Sequence, residues 1–299
     1  MTQPQPVTSR TPKIWRPSNV KEAWEIMNSI SSDVSYISGG TLMQLQREQG
    51  TPLPENLISL EKIESLRGIK KVVSNGKTML EIGALTTLAD CCSDPLINQE
   101  WDLLSISAKS VASPAVRNRG TLGGNVSYRI GDTIPSLLAL DAEITWFDGT
   151  ETYKEPLYDY LKNPPAPAFG NTPVITSFLL PETPVSTKLM SFYQKVGRRE
   201  SFIPSLVTAS AYCCWNSYNE IDYIRLAVGG GANAPIRLKR CERFLKGKVI
   251  TEEILALVYE EIIDEFKPDS DMFVSASYRK TVVANLIVSK LEDNLAESP

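Results

Sequence analysis

The chain has 299 residues, 42% of them hydrophobic, which is enough to bury a substantial core and long enough for two domains. Its formal charge of -4 offers no basic excess for a nucleic acid. It contains no histidine, which excludes a Ser-His-Asp triad, a Cys-His pair and a His-based zinc site. Acid-base work would fall to carboxylates, Lys, Tyr, Cys or a bound cofactor.

Residues 1–12 are polar and proline-rich, without the apolar stretch of a secretory signal, so a flexible tail on a cytoplasmic chain is expected. Val20, Ala23, Trp24, Ile26 and Met27 fall at helical spacing after Ser18 and Asn19, either of which can cap. Residues 34–37 predict a strand closed by Ser38-Gly39-Gly40-Thr41, and a second helix starts over 42–47. A strand is expected at 57–60. Residues 69–73 and 78–82 flank Asn75-Gly76, a strong hairpin signal. Thr86-Thr87 can cap a helix through Ala89 and Cys92, and 103–111 form a helix rich in small residues. Residues 116–125 read as a loop. An apolar helix over 134–140 follows Asp132, and 143–147 form a strand closed by Asp148-Gly149.

Pro164, Pro165, Pro167 and Pro173 mark a break. Strands are expected beyond it at 174–180, 189–196, 205–215 and 223–228, with a linker at 181–184 and helices at 252–266 and 277–291. The pattern is α+β, with a domain boundary near 181–186. Cys91, Cys92, Cys213, Cys214 and Cys241 include two adjacent pairs and no C-x-x-C, so buried reduced thiols are expected rather than disulfides or iron–sulfur ligands. No run of about 18 apolar residues occurs, so no membrane span is expected.

Chemistry concentrates in a few segments. Gly39-Gly40 after a strand lets backbone amides approach a phosphate, and a following helix adds its dipole; a plain strand-to-helix turn uses the same residues. Arg117-Asn118-Arg119-Gly120-Thr121-Leu122-Gly123-Gly124-Asn125 offers further amides and short polar side chains, or a long glycine hairpin. It is neither G-x-G-x-x-G nor a Walker loop. Two such turns favour a ligand with two phosphates. Asp132 can accept from a sugar hydroxyl or cap the helix after it. Strand alternation puts Tyr193 and Lys195 on one face, where a cation could hold a phosphate or polarise a flavin carbonyl. Arg198-Arg199 suits a solvated turn or a subunit contact, and Gly229-Gly230-Gly231 a strand-ending loop.

Taken in order, Ser38-Gly39-Gly40-Thr41, Ile82-Gly83-Ala84-Leu85-Thr86-Thr87, Ser113-Pro114, Arg117-Asn118 and the segment from Gly120 to Asn125 resemble the FAD-binding subunit of molybdenum hydroxylases. These are the xanthine dehydrogenase and carbon monoxide dehydrogenase enzymes. Asp132, Pro135, Asp141-Ala142, Lys195, Arg198-Arg199, the loop over 228–235 and residues 276–279 continue the resemblance. It implies an α+β fold: a two-lobed FAD-binding domain of the vanillyl-alcohol-oxidase/PCMH type at 12–183, then a smaller C-terminal domain with an antiparallel sheet at 184–291. The implied partners are a small subunit with two [2Fe-2S] clusters and a large molybdopterin subunit. Electrons would pass from the clusters through FAD to NAD+ or another acceptor.

The resemblance also implies FAD contacts at Tyr36, Ile37, Ser38, Gly39, Gly40, Thr41, Leu42 and Met43, and at Thr121, Gly123, Gly124 and Asn125. These would hold the pyrophosphate, with Asp132 on a ribose hydroxyl, Ile175 lining the pocket and Lys195 near the isoalloxazine. No side chain is assigned as a catalyst. Relatives often carry His where Leu88 stands, and the loop at 126–131 holds Tyr128 and Arg129 where small residues are common. No cysteine-bearing insertion lies between Asn125 and Val174, so no additional [4Fe-4S] cluster is expected. A stand-alone FAD-dependent oxidase is the alternative, and it would need its own substrate pocket.

Overall fold

The computed structural model describes residues 11–74, 76–164, 172–184, 186, 188–198, 205–293 and 295. Residues 1–10 of the expected tail, Asn75, Pro165, Pro167 and Arg199 lie outside the described residues.

The first unit comprises β1 (Lys13–Trp15), α1 (Val20–Ser29), β2 (Val34–Ile37), α2 (Thr41–Glu48) and β3 (Asn56–Ser59). Its three strands are parallel, in the order β1-β3-β2. Asn19 caps α1 by accepting from the Glu22 amide, and Ala23 and Met27 bury one helical face against Ile58 and Leu60.

The second unit begins with the hairpin β4 (Ile69–Ser74) and β5 (Lys77–Gly83), closed through Gly76 at φ +73°. Six short helices follow: α3 (Leu88–Ser93), α4 (Pro95–Glu100), α5 (Asp102–Lys109), α6 (Pro114–Arg117), α7 (Leu122–Ser127) and α8 (Ile134–Ala139). Then come β6 (Glu143–Phe147), β7 (Thr152–Pro156), α9 (Leu157–Lys162) and β8 (Val174–Pro181). The sheet is antiparallel, in the order β4-β5-β8-β6-β7. Its helices bury Trp101, Leu104, Leu122, Leu137 and Phe178 in one core.

The third unit is an antiparallel sheet of β9 (Lys188–Gly197), β10 (Ser205–Trp215), β11 (Ile221–Gly230) and β12 (Asn233–Arg237). Helices α10 (Lys239–Leu245), α11 (Glu252–Glu265) and α12 (Ala276–Glu292) follow. Every residue of β10 is buried, because both faces are covered. Val207, Ala209, Ala211 and Cys213 pack against the helices, while Tyr212 and Cys214 join the core of the second unit. The C-terminal sheet is thus docked through apolar side chains.

The expected loop at 116–125 is corrected: it contains the end of α6 and the start of α7. Two glycines argue against a helix by propensity. Tertiary contacts override this, since Thr121 accepts from the Gly124 amide and Leu122 and Val126 are both buried. The other site-flanking correction concerns α8, whose N-cap is Thr133 and not Asp132. Among the described residues, no helix is long and apolar enough to cross a membrane and no cluster suited to a metal ion occurs.

All five cysteines are free, and only Cys92 is partly exposed. Burial pushes the Cys91, Cys213 and Cys241 thiols well above the ordinary range. A thiol reagent at neutral pH is therefore expected to label Cys92 alone in the native chain, slowly, and all five after denaturation. Rapid native labelling of more than one thiol would contradict this packing.

The turn after β6 shows a second consequence of local chemistry. Asp148 Oδ1 accepts from the amides of Thr150 and Glu151, each at 2.8 Å. The Glu151 and then the Thr150 amide hold its carboxyl down at about 2, against an ordinary 3.8. A lowered carboxylate contributes stability above about pH 3.8 that is lost as pH falls toward about 2. Asp148→Asn is expected to flatten the fall in melting temperature across that window, while an unchanged slope would exclude this contribution.

Candidate functional site

Both glycine segments meet in space. A Cβ on Gly39 would lie 1.9 Å from the carbonyl oxygen of Arg119, so the backbone of the second segment rests directly on the first. Arg119 Nε donates to the Gly39 carbonyl at 3.4 Å. Ser38 Oγ and Thr121 Oγ1 share a hydrogen bond at 3.1 Å. A Cβ on Gly124 would meet those same two hydroxyls, at 3.2 and 3.0 Å.

The glycines therefore serve different ends. Gly39 admits protein backbone, and so does Gly123, whose amide donates to the Ala84 carbonyl at 2.8 Å. Gly40 supplies the left-handed φ of +70° that turns β2 into α2. Gly124 leaves space beside the two hydroxyls. Gly40 offers no side-chain cap, so the amides of Thr41, Leu42 and Met43 begin α2 without one. Uncapped amides, a helix dipole and the Ser38–Thr121 hydroxyl pair, which keeps one proton to donate outward, form a neutral donor set suited to a diphosphate. Tyr36 stands just before this turn and donates to the Thr172 carbonyl at 3.2 Å, and burial raises its phenol pKa. Ile37 ends β2.

Supports beneath the second turn are backbone bonds. The Leu122 amide donates to Thr86 O at 2.9 Å and the Leu88 amide to Gly120 O at 2.8 Å. Ala84 N donates to Thr176 O at 2.9 Å, which ties β8 to the same turn. Ile175, beside Thr176, pairs with Trp146 and packs against the main core.

Asn125, on α7, is bonded to the residue that precedes α8. Its Oδ1 accepts from the Thr133 hydroxyl at 2.7 Å and the Thr133 amide at 3.2 Å. Asp132, next in line, reaches across to the C-terminal sheet. Its Oδ2 accepts from Lys195 Nζ at 2.6 Å and its Oδ1 from Ser205 Oγ at 2.8 Å. Sequence reasoning named Asp132 and Lys195 separately and did not pair them. It missed Ser205 and Ser110, which carry no local signal. Tyr193 was placed on the face of Lys195 by alternation, and its hydroxyl does donate to the Asp132 carbonyl at 3.1 Å.

Tyr128 is half exposed, Arg129 adopts φ +64° and donates to Leu161 O at 2.5 Å, and Val126-Ser127 belong to α7. Arg198 is exposed to solvent, and its guanidinium stacks on the Phe273 ring at 4.4 Å. A recess of about 640 Å³ lies elsewhere, lined by Asn19, Lys21, Glu81, Thr145, Thr176 and Ser177, and it includes none of the anticipated contact residues. The donor set at the paired turns argues for those turns over the recess.

Residues 8–183 match the family described as the FAD binding domain in molybdopterin dehydrogenase. Residues 191–293 match the CO dehydrogenase flavoprotein C-terminal domain. The chain is 28% identical over 284 residues to the carbon monoxide dehydrogenase medium chain of Hydrogenophaga pseudoflava, covering 92% of this chain and 93% of that one. It is 22% identical over 262 residues to the xanthine dehydrogenase FAD-binding subunit of Escherichia coli O157:H7, covering 87% and 88%. A solved structure of carbon monoxide dehydrogenase from Hydrogenophaga pseudoflava, lacking the Mo-pyranopterin moiety, contains a chain that superposes with TM-score 0.83 at 24% identity, over 95% of this chain and 98% of that one. At that identity the superposition speaks for the fold, whereas the first family match spans more than half of the chain and both glycine turns. The chain belongs to the family of FAD-binding domains of molybdopterin dehydrogenases.

Proposed function

We propose that this chain is the FAD-carrying electron-transfer subunit of a molybdopterin-dependent hydroxylase or dehydrogenase complex. The observation that carries this reading is the contact between the two glycine turns, which brings the Ser38–Thr121 hydroxyl pair beside the uncapped start of α2, with Gly124 leaving space next to the hydroxyls. The names of the relatives, a medium chain and an FAD-binding subunit, support it. The Gly39-Gly40 turn and the uncapped amides at the start of α2 would hold the pyrophosphate, with Ser38 and Thr121 beside them, since the Leu122, Gly123, Gly124 and Asn125 amides are already bonded within the chain. Asp132, Ile175 and Lys195 would lie along the remainder of the cofactor.

Bound there, FAD would take electrons from [2Fe-2S] clusters on a small partner subunit and deliver them to NAD+ or another acceptor. The chain's own residues bind and orient. Ser38 and Thr121 share one hydrogen bond, so one of the two hydroxyls would donate to a phosphate oxygen, and the α2 dipole would offset the phosphate charge. Substrate would be oxidised on a large molybdopterin subunit.

Isolation through a tag on this chain tests the reading. Two partner chains carrying iron and molybdenum are expected to co-purify, and the complex should reduce NAD+ or a dye when its substrate is oxidised. A tagged chain that copurifies with no partner and turns over a small substrate with oxygen would point to a stand-alone oxidase instead.

A further inference from the structure

Asp132 and Lys195 form an ion pair that FAD binding alone leaves unexplained. The resemblance gives Asp132 a sugar hydroxyl, and within the chain each of its oxygens already accepts once, from Lys195 at 2.6 Å and from Ser205 at 2.8 Å, so a sugar hydroxyl would share the carboxylate with the ammonium. Lys195 Nζ also donates to the Ser110 carbonyl at 3.3 Å. Tyr193 OH accepts from Ser110 Oγ and donates to the Asp132 carbonyl, both at 3.1 Å. The two charged side chains are only 16% and 14% exposed. A pair withdrawn from water this far carries a desolvation cost and is weak ground for stability.

Nor does docking of the C-terminal sheet depend on it. Asp141 provides a separate lock, accepting from Tyr223 OH at 2.7 Å, from Arg225 Nε at 2.6 Å and from Arg237. The Asp132 pair has instead a direct connection to the second glycine turn, because its neighbour Thr133 is bonded twice to Asn125.

We propose that Asp132 is a positioning residue and the counter-ion of Lys195: it fixes the ammonium at the edge of the cofactor site and cancels most of its charge there. This rests on the reading of the chain as an FAD subunit. Reduced flavin carries more negative charge than oxidised flavin, so an uncompensated ammonium beside it would favour reduction. A carboxylate at 2.6 Å from that ammonium holds the local field near neutral. The pair thereby keeps the cofactor poised to give electrons up as readily as it takes them.

The test is the FAD midpoint potential in the isolated complex, with the visible flavin spectrum as a second readout. Asp132→Asn keeps a hydrogen-bond acceptor and removes the charge. It is expected to favour reduced over oxidised FAD about tenfold more than the wild type does, an upward shift of about 30 mV for a two-electron couple. Lys195→Met leaves the carboxylate alone and is expected to shift the potential downward. The D132N/K195M double variant should return close to the wild-type value. Ser205→Ala retains both charges and should leave the potential unchanged. A merely structural pair would not move the potential in opposite directions. If D132N fails to retain FAD, the sign of the K195M shift decides. A D132N complex with bound FAD at the wild-type potential, or single variants shifting the same way, would overturn the counter-ion role. Absence of FAD from the wild-type complex would instead remove the reading on which it rests.

Discussion

Gly39→Ala is expected to strip the chain of FAD. The added methyl group would sit 1.9 Å from Arg119 O and 2.5 Å from its carbonyl carbon, and both are backbone atoms that cannot rotate away. One turn must move off the other. Overpacking of this kind costs about 1–3 kcal/mol. Loss of the shared donor set adds to it, so an affinity loss of about a hundredfold or more is expected, at about 1.4 kcal/mol per tenfold. Gly124→Ala provides the contrast. Its methyl group would meet only the Thr121 and Ser38 hydroxyls, at 3.0 and 3.2 Å, and Ala favours a helix over Gly by about 1 kcal/mol. That variant should melt no lower than wild type and still bind FAD more weakly. Flavin fluorescence titration and thermal melting together check both. Normal affinity in G39A would show that the turns do not need to touch.

Arg279→Met is expected to cause the largest loss of stability. Arg279 is fully buried, donates to Leu206 O at 3.0 Å and to Asp269 O at 3.3 Å, and pairs with Asp271. Its guanidinium lies under Gly231, where a Cβ would come within 2.6 Å of it. One side chain on α12 thus holds the start of β10, the turn between β11 and β12, and the connection before α12. Removing one partner of a buried pair costs about 3–5 kcal/mol. Asp271 is 31% exposed and can regain water, so the lower end, about 3 kcal/mol, is expected. That corresponds to roughly 5 °C in melting temperature for a chain of this size. Lys21→Ala breaks an exposed pair with Glu25 at 3.9 Å and should change the melting temperature little. Equal shifts in the two variants would contradict the account.

Where a signal is local, the sequence reading matched the structure. The hairpin over 69–83 follows from Asn75-Gly76 between alternating residues, and β10 and α11 follow from apolar runs of the right length. The missed elements are short and lean on their surroundings. Strand β7 is mostly exposed and held by β6, and α9 and β12 are five or six residues long. Helix α7 contradicts its own glycines and exists because Thr121 caps it and Leu122 and Val126 are buried. Site geometry was the least legible part. Gly39 and Arg119 are 80 residues apart, and Lys195 and Asp132 are 63 apart. Turn chemistry cannot report such contacts. The resemblance placed residues 276–279 in the pattern without a role, and only the burial of Arg279 supplies one.

The central claim is that the two touching glycine turns hold FAD. The most direct measurement is the amount of FAD released on denaturing the complex isolated through this chain, set against the amount of chain. The account predicts about one FAD per chain in the wild type, with little or none in Gly39→Ala. A wild-type complex without flavin, or a G39A complex with its full complement, would contradict it.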